Sequence, residues 1–72
     1  MRDELKFTLE IEVEEDGRWI AAVPEIPGAM VYGRTPEEAA ASVKALVLRV
    51  IAERLEHGEM SSELAEVAFK AA

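Results

Sequence analysis

Apolar and polar residues alternate without a break from Leu5 to Glu14. Leu5, Phe7, Leu9, Ile11 and Val13 take one side, and Lys6, Thr8, Glu10, Glu12 and Glu14 the other. A period of two is that of a strand, so the segment predicts a strand with one buried and one solvated face. Asp16-Gly17 then supplies the positive φ angles of a hairpin turn, and residues 18–23 (RWIAAV) read as the second strand. The turn sets the register. With Asp16-Gly17 as a two-residue loop, Glu14 faces Trp19, Val13 pairs with Ile20, and Ile11 pairs with Ala22. Ile20 and Ala22 are then core, while Trp19, Ala21 and Val23 lie on the outer face beside Glu14, Glu12 and Glu10. A four-residue loop keeps this parity; a three-residue loop reverses it.

Pro24 and Pro27 cannot donate to a ladder, so the second strand must end near Val23. Residues 29–34 (AMVYGR) read as a third, short strand whose parity the sequence leaves open. Gly33 there permits a bulge or a close backbone approach. Thr35, Pro36 and Glu38 form an N-cap, an N1 proline and a capping box, starting a helix that runs to about His57 with Gly58 as its C′ residue. Ala39, Val43, Leu46, Val47, Val50 and Ile51 make the stripe that packs on the sheet, while Leu48 and Leu55 fall on another side. Residues 61–72 (SSELAEVAFKAA) satisfy both helical and strand spacing.

The chain has 72 residues, no cysteine and a formal net charge of −7. That size supports one domain with a modest core, and without disulfides or thiolate metal sites the obvious source of extra burial is a homo-oligomer. The acidic balance argues against autonomous nucleic-acid binding, which needs a basic stripe, and suits a basic partner or plain solubility. The N-terminal segment lacks an apolar leader core and no run is long enough to span a membrane, so the expected place is the cytoplasm. Asn and Gln are absent too. Their depletion with abundant Glu and Arg fits a hot environment, and a melting temperature near ~50 °C would contradict that origin.

Catalytic chemistry finds no constellation. His57, the sole histidine, sits in the last helical turn, where it suits the C-terminal dipole or the surface. Ser61 and Ser62 have no activating neighbour, and the four glycines are isolated turn or cap residues rather than a phosphate loop. Glu10, Glu12, Glu14, Glu15 and Asp16 do not converge on one ion when spread along a strand at ~7 Å per two residues. No catalytic residue, metal or cofactor is expected.

The order of residues from Asp16 to Ala39, an acidic turn ending DG, an aromatic, P-x-x-PG, then G-x-T-x-x-EA, resembles the HicB-like antitoxin family over about two thirds of the chain. The resemblance implies a truncated ribonuclease-H-like fold and a fourth strand at residues 64–70, parallel to the first. With the right-handed crossover rule this gives an α+β fold, β-β-β-α-β, with a three-stranded meander, one helix on one face and strand order 3-2-1-4. It also implies an antitoxin-like domain that masks a small basic HicA-type ribonuclease toxin. The ancestral nuclease site is not expected: no apolar strand carries an internal Asp, and Asp16 is accounted for by the turn. Residues 1–72 are expected to be a single HicB-like domain without the DNA-binding segment that fuller antitoxins carry. Ala29 stands where the family often has Cys, and Trp19 where Tyr is usual. By analogy and register, Glu10, Glu12, Glu14 and Trp19 are the candidate partner-binding residues, with Tyr32 joining them if the third strand's parity allows. The alternative is a solitary homo-oligomeric scaffold or regulatory module with no toxin, burying Leu48, Leu55 and the surroundings of Trp19 between copies.

Overall fold

The structure, a computed structural model, describes residues 3–72. The elements follow as β1 (Asp3–Val13), β2 (Trp19–Ala22), β3 (Met30–Gly33), α1 (Pro36–Glu56) and β4 (Leu64–Ala71). They build one mixed sheet in the order β3-β2-β1-β4, with β4 parallel to β1 and the other neighbours antiparallel. This is the expected α+β architecture and strand order. The ambiguous C-terminal segment is a strand of 8 residues. A parallel neighbour cannot be reached through a tight turn, and α1 supplies the crossover. β1, with 11 residues, spans roughly 37 Å at strand rise and accounts for most of the 44 Å long axis.

The first hairpin corrects the expected register by one residue. Val13 pairs with Trp19, Glu12 with Ile20, Ile11 with Ala21 and Glu10 with Ala22. The cause lies in the loop. Glu14 N–H donates to the Arg18 carbonyl at 2.7 Å, and Gly17 N–H donates to the Glu14 carbonyl at 3.0 Å. Glu14 and Arg18 therefore close the ladder, leaving Glu15, Asp16 and Gly17 as a three-residue loop. Only Gly17 takes a positive φ, of 89°. Asp16 instead accepts from the Arg18 backbone N–H at 3.1 Å and from Arg18 Nε at 2.7 Å. These bonds hold its carboxyl below the usual aspartate range, the backbone bond first. An odd loop length exchanges the faces of β2. Ala21 and Val23 are fully buried under the helix, whereas Ile20 and Ala22 are half-buried on the outer face.

Trp19 shares the parity of Ala21 and Val23 and packs against the core, directly across from Gly33. It does not stand on the outer face. Trp19→Ala is therefore expected to cost about 2–4 kcal/mol of fold stability, through lost packing. Urea unfolding of the isolated protein measures this; an unchanged midpoint would mean that the ring is not a core contact.

The proline corner does more than end β2. Val23 N–H donates to Ala29 at 3.0 Å, Ile26 N–H to Val23 at 3.1 Å, and Ala29 N–H to Ile26 at 3.0 Å. The corner thereby folds Ile26 and Ala29 into the core. Glu25 then caps β1 where β2 has stopped: its carboxylate accepts from Thr8 N–H at 2.9 and 3.1 Å and from Thr8 Oγ1 at 2.7 Å. Those bonds, the hydroxyl first, keep the Glu25 carboxyl below the usual range.

A depressed carboxyl stabilises the fold above its unfolded pKa, ~4.3, and loses that contribution as pH falls through the lower folded value. Glu25→Gln is thus expected to lower the urea midpoint at pH 7, with the gap to the parent closing in strong acid. A gap independent of pH would show that charge on Glu25 is irrelevant.

The helix is capped as its sequence suggests. Thr35 Oγ1 accepts from Glu38 N–H at 3.0 Å, and Gly58 takes φ 70°. Glu59 N–H reaches the Arg54 carbonyl at 2.8 Å and Gly58 N–H the Leu55 carbonyl at 3.3 Å, a Schellman ending. The capping box closes one residue early: the Glu38 carboxylate accepts from Arg34 N–H at 3.4 Å, not from Thr35. Ala39, Val43, Val47 and Ile51 are buried, and Leu46 and Val50 pack beside them. The helix lies mainly across β2 and β3 and touches β1 less. Leu5, Val67 and Phe69 on the β1–β4 side are consequently only half-buried.

Candidate functional site

The even-numbered side chains of β1 and β2 point away from the helix, and no other layer covers that side among the described residues. Glu10 and Glu12 stand exposed in the middle of this face, beside Ile20 and Ala22 of β2. β3 pairs Tyr32 with Ile20 and Met30 with Ala22, so its outward residues continue the same patch. Met30 is 57% exposed and Tyr32 47%, high values for large apolar groups held on a rigid sheet. Glu10, Glu12, Ile20, Ala22 and Met30 together line a shallow hollow. The result is an apolar floor over β2 and β3, bordered on its β1 side by two carboxylates.

Arg18 stands over Tyr32 at the border of this floor. Its guanidinium lies 4.3 Å from the centre of the Tyr32 ring, and Asp16 holds it through Nε. The contact fixes the aromatic plane and leaves Arg18 partly neutralised, so the acidic character of the face persists. The other end of the face differs. Lys6 lies beside Ala68, and Thr8 beside Lys70, giving a mixed-charge region there. The outer face is thus polarised, with its carboxylates concentrated over β1 and β2.

The structure brings together Glu10, Glu12 and Tyr32 from the expected partner-binding set. Glu14 sits at the hairpin tip with Glu15, Asp16 and Arg18 around a shallow depression. Trp19 is placed apart, on the helix side. Ile20, Ala22 and Met30 were absent from the expected set because the two-residue loop put Ile20 and Ala22 in the core. The whole second strand is apolar after Arg18, so its own pattern could not correct the parity. His57 is an exposed helix C-cap, with Nδ1 4.0 Å from the Glu59 carboxylate. Chemically the patch offers hydrogen-bond acceptors, negative charge and apolar area, a combination suited to recognising a protein surface.

A small α+β domain with an uncovered acidic sheet face is the class that fold and surface define. The chain belongs to the UPF0150 family. A UPF0150 protein of Synechocystis sp. is 46% identical over 51 residues, covering 71% of each chain. A UPF0150 protein of Thermoplasma acidophilum is 33% identical over 55 residues, covering 76% of this chain and 80% of its own. No protein-family model matches the chain, and no solved structure matches it. No helix among the described residues is long and apolar enough to cross a membrane.

Proposed function

We propose that this chain is a HicB-like, antitoxin-type domain that binds and masks a small basic ribonuclease of the HicA type. The observation that carries the proposal is the uncovered outer face, where Glu10 and Glu12 flank Ile20, Met30 and Tyr32. The resemblance of the DG, P-x-x-PG and G-x-T-x-x-EA pattern to HicB-like antitoxins supports it. Masking needs no chemistry from this chain. Carboxylates accelerate encounter with a cationic surface, and desolvated apolar anchors lengthen residence. A net charge of −7 supplies the long-range part of that attraction.

The test is suppression of RNA cleavage by a HicA-type ribonuclease titrated with this protein. Glu10→Lys together with Glu12→Lys is expected to raise the half-suppressing concentration at least about tenfold, ~1.4 kcal/mol, with the melting temperature unchanged. Suppression at unchanged concentration would place the binding surface elsewhere. A second reading, a solitary homo-oligomeric scaffold, draws on other surfaces: Leu48 and Leu55 stay exposed on the helix, and the β1–β4 side is thinly covered.

A further inference from the structure

We infer that the groove over Ala22 is a socket for an arginine side chain of the basic partner. This rests on the reading that the outer face binds a basic protein, and it names the group that anchors it. Two rows of side chains cross that face. One is Glu12, Ile20 and Tyr32; the other is Glu10, Ala22 and Met30. Ile20 fills the middle of the first row. In the second, only the Ala22 methyl stands between Glu10 and Met30, whose strands lie two steps of ~4.8 Å apart. The second row is therefore a notch, with a carboxylate on one wall and a thioether on the other.

The notch widens on both sides. Toward Ile20 it opens into a hollow of about 170 Å³. Toward the proline corner it opens into one of about 240 Å³, walled by Pro24 and Pro27. Glu10, Ala22 and Met30 line both hollows, whereas Glu12 lines only the first. Such a groove has room for a side chain but not for a folded element. Its far wall is set before a partner arrives: Val23 N–H to Ala29 and Ala29 N–H to Ile26 hold the corner in place. A site already in its bound shape loses less entropy on binding.

Charge and shape specify the occupant. The ion pairs among the described residues use Glu4, Asp16, Glu38 and Glu59, and Glu25 is committed to Thr8. Glu10 has no cation there, so its carboxylate is available to a cationic group that enters the groove. The walls around it are apolar. A side chain with an aliphatic stem and a charged head matches both features, the stem lying on Met30 and the prolines. Arginine fits better than lysine. Its planar head is weakly hydrated, lies flat on apolar surface and can meet a carboxylate through two N–H groups. A second copy is a poor donor, because two chains of net charge −7 repel each other.

The ribonuclease titration tests this with Ala22→Leu, which fills the notch and leaves every charge in place. The half-suppressing concentration should rise at least about tenfold, with the melting temperature unchanged. Ala22→Ser, which keeps the notch open, should suppress like the parent. Glu10→Gln should weaken suppression more than Glu12→Gln, because Glu10 lines both hollows; equal losses would reduce the face to its net charge and overturn the socket. Phenylglyoxal, which modifies accessible arginines, reads the occupant. An arginine of the ribonuclease should be protected by the parent and react when Ala22→Leu replaces it at saturating concentration. Full reactivity of every ribonuclease arginine in the parent complex would overturn the inference. So would protection, in the protein alone, of Arg34, whose side chain is 91% exposed, since that would give the groove to a second copy. If Ala22→Leu suppresses like the parent while the Glu10, Glu12 charge reversal does not, the socket is overturned and the partner reading stands. If the parent itself fails to suppress, the partner reading falls and the socket with it.

Discussion

Val47→Asp is expected to leave the chain unfolded at room temperature. Val47 is fully buried, at the centre of the helix stripe formed with Ala39, Val43 and Ile51. The substitution removes about 2 kcal/mol of apolar burial and places a carboxylate where no buried charged group stands among the described residues. A buried polar group without a partner costs a further several kcal/mol, or forces the carboxyl to take up a proton. A domain of this size has roughly 4–10 kcal/mol of total stability, so little remains. Circular dichroism should show loss of the helix, with partial recovery in acid as the carboxyl is neutralised. A variant that melts like its parent would mean that the buried face of α1 is a different one.

The second large effect is at Gly33. An added β-carbon there would lie 2.6 Å from the Ala39 nitrogen, 2.9 Å from its α-carbon and 3.1 Å from its β-carbon. The nearest atoms are helix backbone, which cannot swing aside as a side chain can. Gly33→Ala must push the first turn of α1 off β3, at about 1–3 kcal/mol for overpacking and more if the Thr35 cap is dislodged. Gly33 carries no positive φ, so the cost comes from contact rather than backbone strain. A double variant with Ala39→Gly should not recover the loss, because the closest contact is to the backbone nitrogen. Recovery would show that the Ala39 methyl was the obstacle.

These two positions also show what the sequence made legible. The helix phase followed from the 3.6-residue spacing of Ala39, Val43, Val47 and Ile51, and both of its ends followed from capping chemistry at Thr35 and Gly58. Gly33 permitted a bulge or a close approach, and nothing in the sequence said which, or to which neighbour. The strand order followed once a parallel fourth strand was assumed from the family resemblance. Parity in the hairpin was different. Trp19-Ile20-Ala21-Ala22-Val23 is apolar throughout, so its faces were set by loop length alone, and DG fits loops of two residues or three. The same one-residue difference moved Trp19 off the outer face and put Ile20 and Ala22 onto it. Glu25 was illegible for another reason: its bond to Thr8 joins segments that only the folded corner brings together.

The exposure of Ile11 and Val13 was equally hidden. Strict alternation from Leu5 to Glu14 suggests a uniformly covered strand, yet coverage depends on where the helix lies. The helix favours β2 and β3, so Ile11 and Val13 keep the apolar signature of core residues without the burial.

Size-exclusion chromatography with light scattering, on this protein alone and mixed with a HicA-type ribonuclease, tests the central claim most directly. The account predicts a stoichiometric heterocomplex that the Glu10→Lys, Glu12→Lys variant does not form. A stable homo-oligomer that leaves the ribonuclease free would contradict it and favour the solitary scaffold.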